Sequence, residues 1–131
     1  MLVGAYQNHP EFGETQANVE IAAQDLSNVK ADLVVLPELF NTGYQFVSRQ
    51  EVETLAEEIP SGQTCQAMMT LARNKKMFLV FGMAERVGQD FFNSAVVIGP
   101  EGLWESTRKH IFFLKRKISL PREIQGFRSL I

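Results

Sequence analysis

The sequence predicts an α/β fold built around a pair of parallel strands, and three observations carry that prediction. Residues 2–7 ("LVGAYQ") and 33–36 ("LVVL") are short apolar runs of strand length. Between them Val19, Ala22, Ala23 and Leu26 recur at i, i+3, i+4 and i+7, the spacing of one helical face. Strand, helix, strand over so short a stretch is a βαβ unit, whose two strands run parallel. The third observation is one carboxylate, Glu38, placed directly after the second run in "LVVLPELF". A residue just past such a strand sits at the carboxyl edge of the sheet, where open α/β folds bind ligands.

The elements follow in order. Pro10 and Gly13 break the chain after the first run, and the helical period begins at Thr15. Glu20, Gln24 and Asn28 supply the polar side of that helix. The run at 33–36, aliphatic throughout and stopped by Pro37, predicts a strand buried on both faces. Val52, Leu55, Ala56 and Ile59 predict a second helix, interrupted at "IPSGQT". Thr64 is the expected N-cap of a third, whose apolar face is Cys65, Met68, Met69 and Ala72. Residues 77–82 ("MFLVFG") predict a buried strand. Residues 84–99 predict a hairpin turning at 88–90 and returning over 93–98. Residues 99–102 ("GPEG") form another turn, and "LWEST" a short strand. Beyond it Lys115, Arg116 and Lys117 make a basic run expected to be a solvated face, and Pro121 excludes one long helix. No repeat, linker or low-complexity segment divides residues 1–131, so one domain is expected.

Bulk composition narrows the class. The 131 residues are 45% apolar and 21% charged, as in soluble globular proteins. Thirteen basic against fifteen acidic side chains leave a net charge of -2, which gives no footprint for nucleic acid or a membrane surface. A single cysteine, Cys65, excludes an internal disulfide framework and suits a reducing compartment. The N-terminus lacks the pattern of a signal peptide and no apolar run reaches membrane-spanning length, so a cytoplasmic location is expected. No "GxxxxGK" phosphate loop occurs, and His9 and His110 lack metal-ligand spacing.

Glu38 after a strand and Lys109 after the hairpin are candidates to share one pocket, each favouring the other's charged form. Spacing alone leaves this weak. The wording of the motifs is more specific. "LPELFNTGY", "FGMAER", "FFNSAVVIGPEG" and "RKHIF" stand in the order and spacing of the nitrilase superfamily, the carbon–nitrogen hydrolases, which the chain resembles from about Leu2 to Lys109. That resemblance implies part of an αββα sandwich, a homodimer, and hydrolysis of a small amide or nitrile by a Glu–Lys–Cys triad without cofactor or metal. It also implies roles for single residues. Glu38 matches the general base and Lys109 the lysine that stabilises the oxyanion. Glu85 matches a glutamate of the "AE" segment, with a structural position expected. Tyr44 matches the loop lining the pocket, either as a wall or hydrogen-bond donor or as simple packing.

The nucleophile the resemblance implies lies on an elbow well after the lysine, and no cysteine follows Lys109. Cys65, among Met68, Met69 and Ala72, is expected to be a small buried hydrophobe rather than a substitute. The tail departs from the family pattern elsewhere. Thr107 replaces a tyrosine, His110 directly follows the lysine, and Arg116 replaces a second glutamate. The expectation is therefore the N-terminal part of a carbon–nitrogen hydrolase, inactive alone, which self-associates or binds a complementary C-terminal half. The alternative is a non-catalytic fragment or pseudogene product acting as an association module.

Overall fold

The computed structural model describes residues 1–110, a five-stranded sheet with three helices. The order along the chain is β1 (Val3–Ala5), α1 (Thr15–Ser27), β2 (Leu33–Val35), α2 (Arg49–Leu55), α3 (Gln63–Lys75), β3 (Phe78–Val87), β4 (Asp90–Gly99) and β5 (Gly102–His110). The basic run at Lys115–Arg116–Lys117 and Pro121 lie outside the described residues.

The strands lie in the sheet in chain order. β1, β2 and β3 run parallel, and β3, β4 and β5 antiparallel. The first half is the expected βαβ unit, because α1 returns the chain in time for Leu33 to pair with Val3. The second half is a meander whose turns are short: Gly88–Gln89 joins β3 to β4, and Pro100–Glu101 joins β4 to β5. Gly102 takes φ +121°, which a side chain would strain.

The helices α1 and α3 pack side by side, and α3 lies against β3, β4 and β5. Leu79, Phe81 and Met83 of β3 and Val96 and Ile98 of β4 face them and are fully buried. Val19, Ala22 and Leu26 of α1 and Cys65, Met68 and Ala72 of α3 close the core from the other side. Phe40 is its largest loop-borne member, set edge-on to Phe81 with ring centres 5.2 Å apart. A second, smaller cluster joins Leu39, Val52, Ala56 and Ala84 and seats α2.

Several expectations are corrected. The β2 strand is not buried on both faces. Val34 and Leu36 are buried, but Val35 is 41% exposed, because α1 and α3 cover only one side of the sheet. The first strand is shorter than residues 2–7, although Tyr6 N–H still donates to the Val35 carbonyl at 2.9 Å. The second helix stops at Leu55 and excludes Ile59. Ala56 turns extended, and Glu57 instead forms a parallel bridge with Glu85. Its start is set by a capping box between Ser48 and Glu51. Thr64 is not the N-cap of α3; Gly62 is. Thr64 instead donates its N–H and hydroxyl to the Glu57 carboxylate at 2.8 and 2.5 Å, so a carboxylate from outside the helix meets its exposed N–H groups. The last strand is longer than "LWEST" and runs through Lys109.

One-sided coverage has a measurable consequence. Phe40→Ala should destabilise the chain by about 3–5 kcal/mol. Val35→Ala should cost roughly 1 kcal/mol or less, since its side chain is only half covered. Urea unfolding followed by circular dichroism measures both. Equal losses would mean that the second face is covered as well.

Candidate active site

Alternation along the strands divides the sheet's chemistry between its faces. Leu79, Phe81, Met83 and Glu85 share the helix-covered face with Ser94 and Val96. Phe78, Val80 and Gly82 face the other way, with Asn93, Ala95, Thr107 and Lys109. On that second face a concavity of about 390 Å³ is lined by Leu36, Glu38, Val80, Gly82, Asn93, Ala95, Thr107 and Lys109, together with Phe81, Ser94 and Arg108 between them. Its size is in the range of small-molecule sites.

Glu38 reaches this concavity by crossing β3. The chain leaves β2 with Leu36 N–H donating to Val80 O at 2.8 Å, then passes over Gly82. A Cβ on Gly82 would lie 2.7 Å from the Glu38 Cα and 3.3 Å from its Cβ, so only glycine permits the crossing. The next residue, Leu39, takes φ 51°, a left-handed conformation rare for a non-glycine residue. Burial of Leu39 and a hydrogen bond from Gly43 N–H to its carbonyl at 2.8 Å hold it there. Asn41, fully buried, donates to Thr64 Oγ1 at 3.0 Å and anchors the loop to α3.

Beyond Gly82 the Glu38 carboxylate accepts a hydrogen bond from Asn93 Nδ2 on β4. Asn93 is the register partner of Lys109 on β5. Glu38, Asn93 and Lys109 therefore form a row across three strands, with Gly82 beneath it. Tyr44 lies elsewhere. It is 54% exposed and lines a neighbouring concavity with Asn8, His9 and Phe12. Partial burial and then the Glu38 charge both raise its phenol above the ordinary value.

Cys65 is remote from this row in character and place. It is fully buried, and its thiol points at Met83 Sδ, 3.7 Å away on the helix-covered face. Burial first, then the charges of Glu57 and Glu85, push the thiol up to about 12, the opposite of an activated nucleophile. Among the described residues no group of three His, Cys, Asp or Glu could hold a metal ion. No helix among them is long and apolar enough to cross a membrane.

Behind the row, on the covered face, Glu85 is 1% exposed and carries a fork of hydrogen bonds from Arg108. Nε donates to both carboxylate oxygens at 2.9 and 2.8 Å, Nη2 to Oε1 at 2.7 Å, and Ser94 Oγ to Oε2 at 2.5 Å. Burial pushes the Glu85 carboxyl up, but the hydrogen bonds of Arg108 and Ser94 and the Arg108 charge outweigh it. The net result holds the group below the ordinary value.

The sequence reading missed Gly82, Asn93 and Arg108. The signals were present: a glycine inside an apolar strand marks a close approach, and Asn93 is a polar residue at a strand position on the face opposite Val96. Arg108 had none, since nothing local shows that it meets Glu85.

The depressed Glu85 value predicts an acid limb in stability. Its contribution is fully present above the ordinary value of 4.5 and is lost as pH falls through the lower folded value. Urea unfolding across pH 2–7 should show the gap between wild type and Glu85→Gln closing below about 4.5. At neutral pH Arg108→Gln should destabilise more than Glu85→Gln, since it leaves a buried carboxylate unpaired. Acid should narrow that extra deficit. A pH-independent gap would contradict the ion pair.

The carbon-nitrogen hydrolase family profile matches residues 2–129. A nitrilase of Pyrococcus abyssi (strain GE5 / Orsay) is 41% identical over 133 residues, covering 98% of this chain and 50% of the relative. An (R)-stereoselective amidase of a Pseudomonas species is 35% identical over 78 residues, 60% of this chain and 27% of the relative. A crystal structure of an N-terminal amidase superposes with TM-score 0.73 at 22% identity over 83% of this chain and 28% of that one, a likeness of fold. The chain thus spans at most about half the length of these relatives. With a profile match over nearly its whole length and a nitrilase relative at 41% identity, the chain belongs to the carbon-nitrogen hydrolase family.

Proposed function

We propose that this chain carries the base and the oxyanion-stabilising lysine of an amidase- or nitrilase-like hydrolase acting on a small amide or nitrile. The observation that supports it is the row Glu38–Asn93–Lys109 lining one concavity. Glu38 is the general base. It takes the proton of an attacking thiol and passes it to the departing amine. Lys109 offers an ammonium where negative charge develops on the substrate's carbonyl oxygen or nitrile nitrogen. Asn93 holds the Glu38 carboxylate through one of its oxygens. Tyr44 borders the other concavity, near enough for the Glu38 charge to reach it, and is assigned to substrate approach from there.

The nucleophile is not Cys65, which is buried and turned to Met83. We assign it to a segment this chain does not contain, either a continuation of the same polypeptide or a complementary chain. Residues 1–131 then form one incomplete hydrolase domain. The uncovered face supports the same conclusion, since Val3, Val35 and Trp104 are apolar and Trp104 is 68% exposed. Such a surface also favours the second reading, a non-catalytic fragment or pseudogene product acting as an association module.

Alone, the chain should show no turnover against a panel of small aliphatic amides and nitriles. Supplied with a cysteine-bearing second half, it should gain activity. Glu38→Gln and Lys109→Ala should each then lower kcat/KM by roughly 10²–10⁴-fold. Turnover by the chain alone that Cys65→Ala abolishes would overturn the assignment of the nucleophile. Full activity of Glu38→Gln in the supplemented assay would overturn that of the base.

A further inference from the structure

The strand that carries Lys109 has little to hold its register. β5 is the outer strand of the sheet among the described residues, paired on one side only. None of its nine residues is buried. Its pairing with β4 is already irregular at Val97 and Ile98, where a bulge shifts the partners. A strand with one buried face resists slipping, because a one-residue shift would expose its apolar set. A polar, exposed strand lacks that resistance. The ring contacts at its two ends, Phe78 with Trp104 and Phe92 with His110, involve exposed residues of β5.

One contact differs in kind. Arg108 reaches Glu85, the fully buried carboxylate of β3, and forks onto both its oxygens. A buried carboxylate deprived of its cation is costly, so a register shift that pulls Arg108 off Glu85 is penalised. Lys109 is the next residue, and alternation sends it to the opposite face. A slip of one residue would place Arg108 beside Asn93 and carry Lys109 to the helix-covered side.

We infer that Glu85 is a positioning residue: by pinning Arg108 on the helix-covered face, it sets the β5 register that delivers Lys109 beside Asn93 and Glu38 on the other. The inference rests on the assignment of Lys109 and Glu38 to one site. It gives Glu85 a task that is separate from the chemistry and lies on the other side of the sheet from it.

Carbodiimide cross-linking of the full chain, read by mass spectrometry, tests it. The zero-length reagent joins Glu38 to Lys109 only where the two meet. Wild type should yield that isopeptide, and Glu85→Gln should lose it while still unfolding cooperatively. A disulfide between Ala95→Cys and Thr107→Cys, register partners on the pocket face, locks the pairing. It should restore the cross-link in Glu85→Gln, which a merely structural defect would not allow. Should Glu85→Gln fail to fold, Arg108→Lys, which keeps the charge and loses the fork, carries the same comparison. An undiminished cross-link in a folded variant overturns the inference and leaves the pocket intact. No cross-link in wild type would instead overturn the pocket on which it rests.

Discussion

Side chains alternate along a strand, and in this sheet that single constraint ties the core to the site. Leu79, Phe81 and Met83 are buried against α1 and α3 on one face. Their neighbours Val80 and Gly82 are thereby committed to the other face, where they floor the concavity. The same holds one strand over. Ser94 and Val96 are buried, so Asn93 and Ala95 face the site. β5 has no buried apolar set to impose the rule, and there the fork of half-exposed Arg108 on buried Glu85 takes over from packing.

The functional face depends on a second constraint, the passage of the chain over β3. Glu38 belongs to the loop after β2, yet its hydrogen-bond partner is on β4. The distance is bridged because Gly82 leaves room for the loop to lie directly on the sheet. The left-handed turn at Leu39 has a conformational cost. It is offset by placing Leu39 against Val52 and Ala56 and Phe40 against Phe81. Two large side chains from one short loop thus enter two different clusters and leave the carboxylate between them little freedom.

Local signals in the sequence were enough for the βαβ unit, for α1 and α3, and for the hairpin of β3 and β4. Apolar period and turn residues are properties of neighbours along the chain. The errors fell where partners are distant. Thr64 has the chemistry of an N-cap, but a carboxylate at Glu57, brought in by a bridge to β3, claims it instead. The aliphatic run at β2 has the composition of a doubly buried strand, but what covers each face is decided by the rest of the sheet. Within the site, Glu38 and Lys109 were visible as candidates through motif resemblance. Asn93 and Gly82 stand out locally as a polar residue and a glycine inside strands, but that both meet Glu38 follows from contacts across the sheet that no local pattern encodes.

Carboxylate and amide are hydrogen-bonded, and the ammonium is on the next strand, on the sheet face that α1 and α3 leave open. Everything on this face depends on the Glu38 carboxylate lying across Gly82 against Asn93. A crystal structure of Gly82→Ala beside that of wild type tests it most directly. The added methyl should lift the Glu38 backbone from β3 and break the Glu38–Asn93 hydrogen bond, while Leu79, Phe81 and Met83 stay in place. An unchanged Glu38–Asn93 bond above the alanine would contradict it.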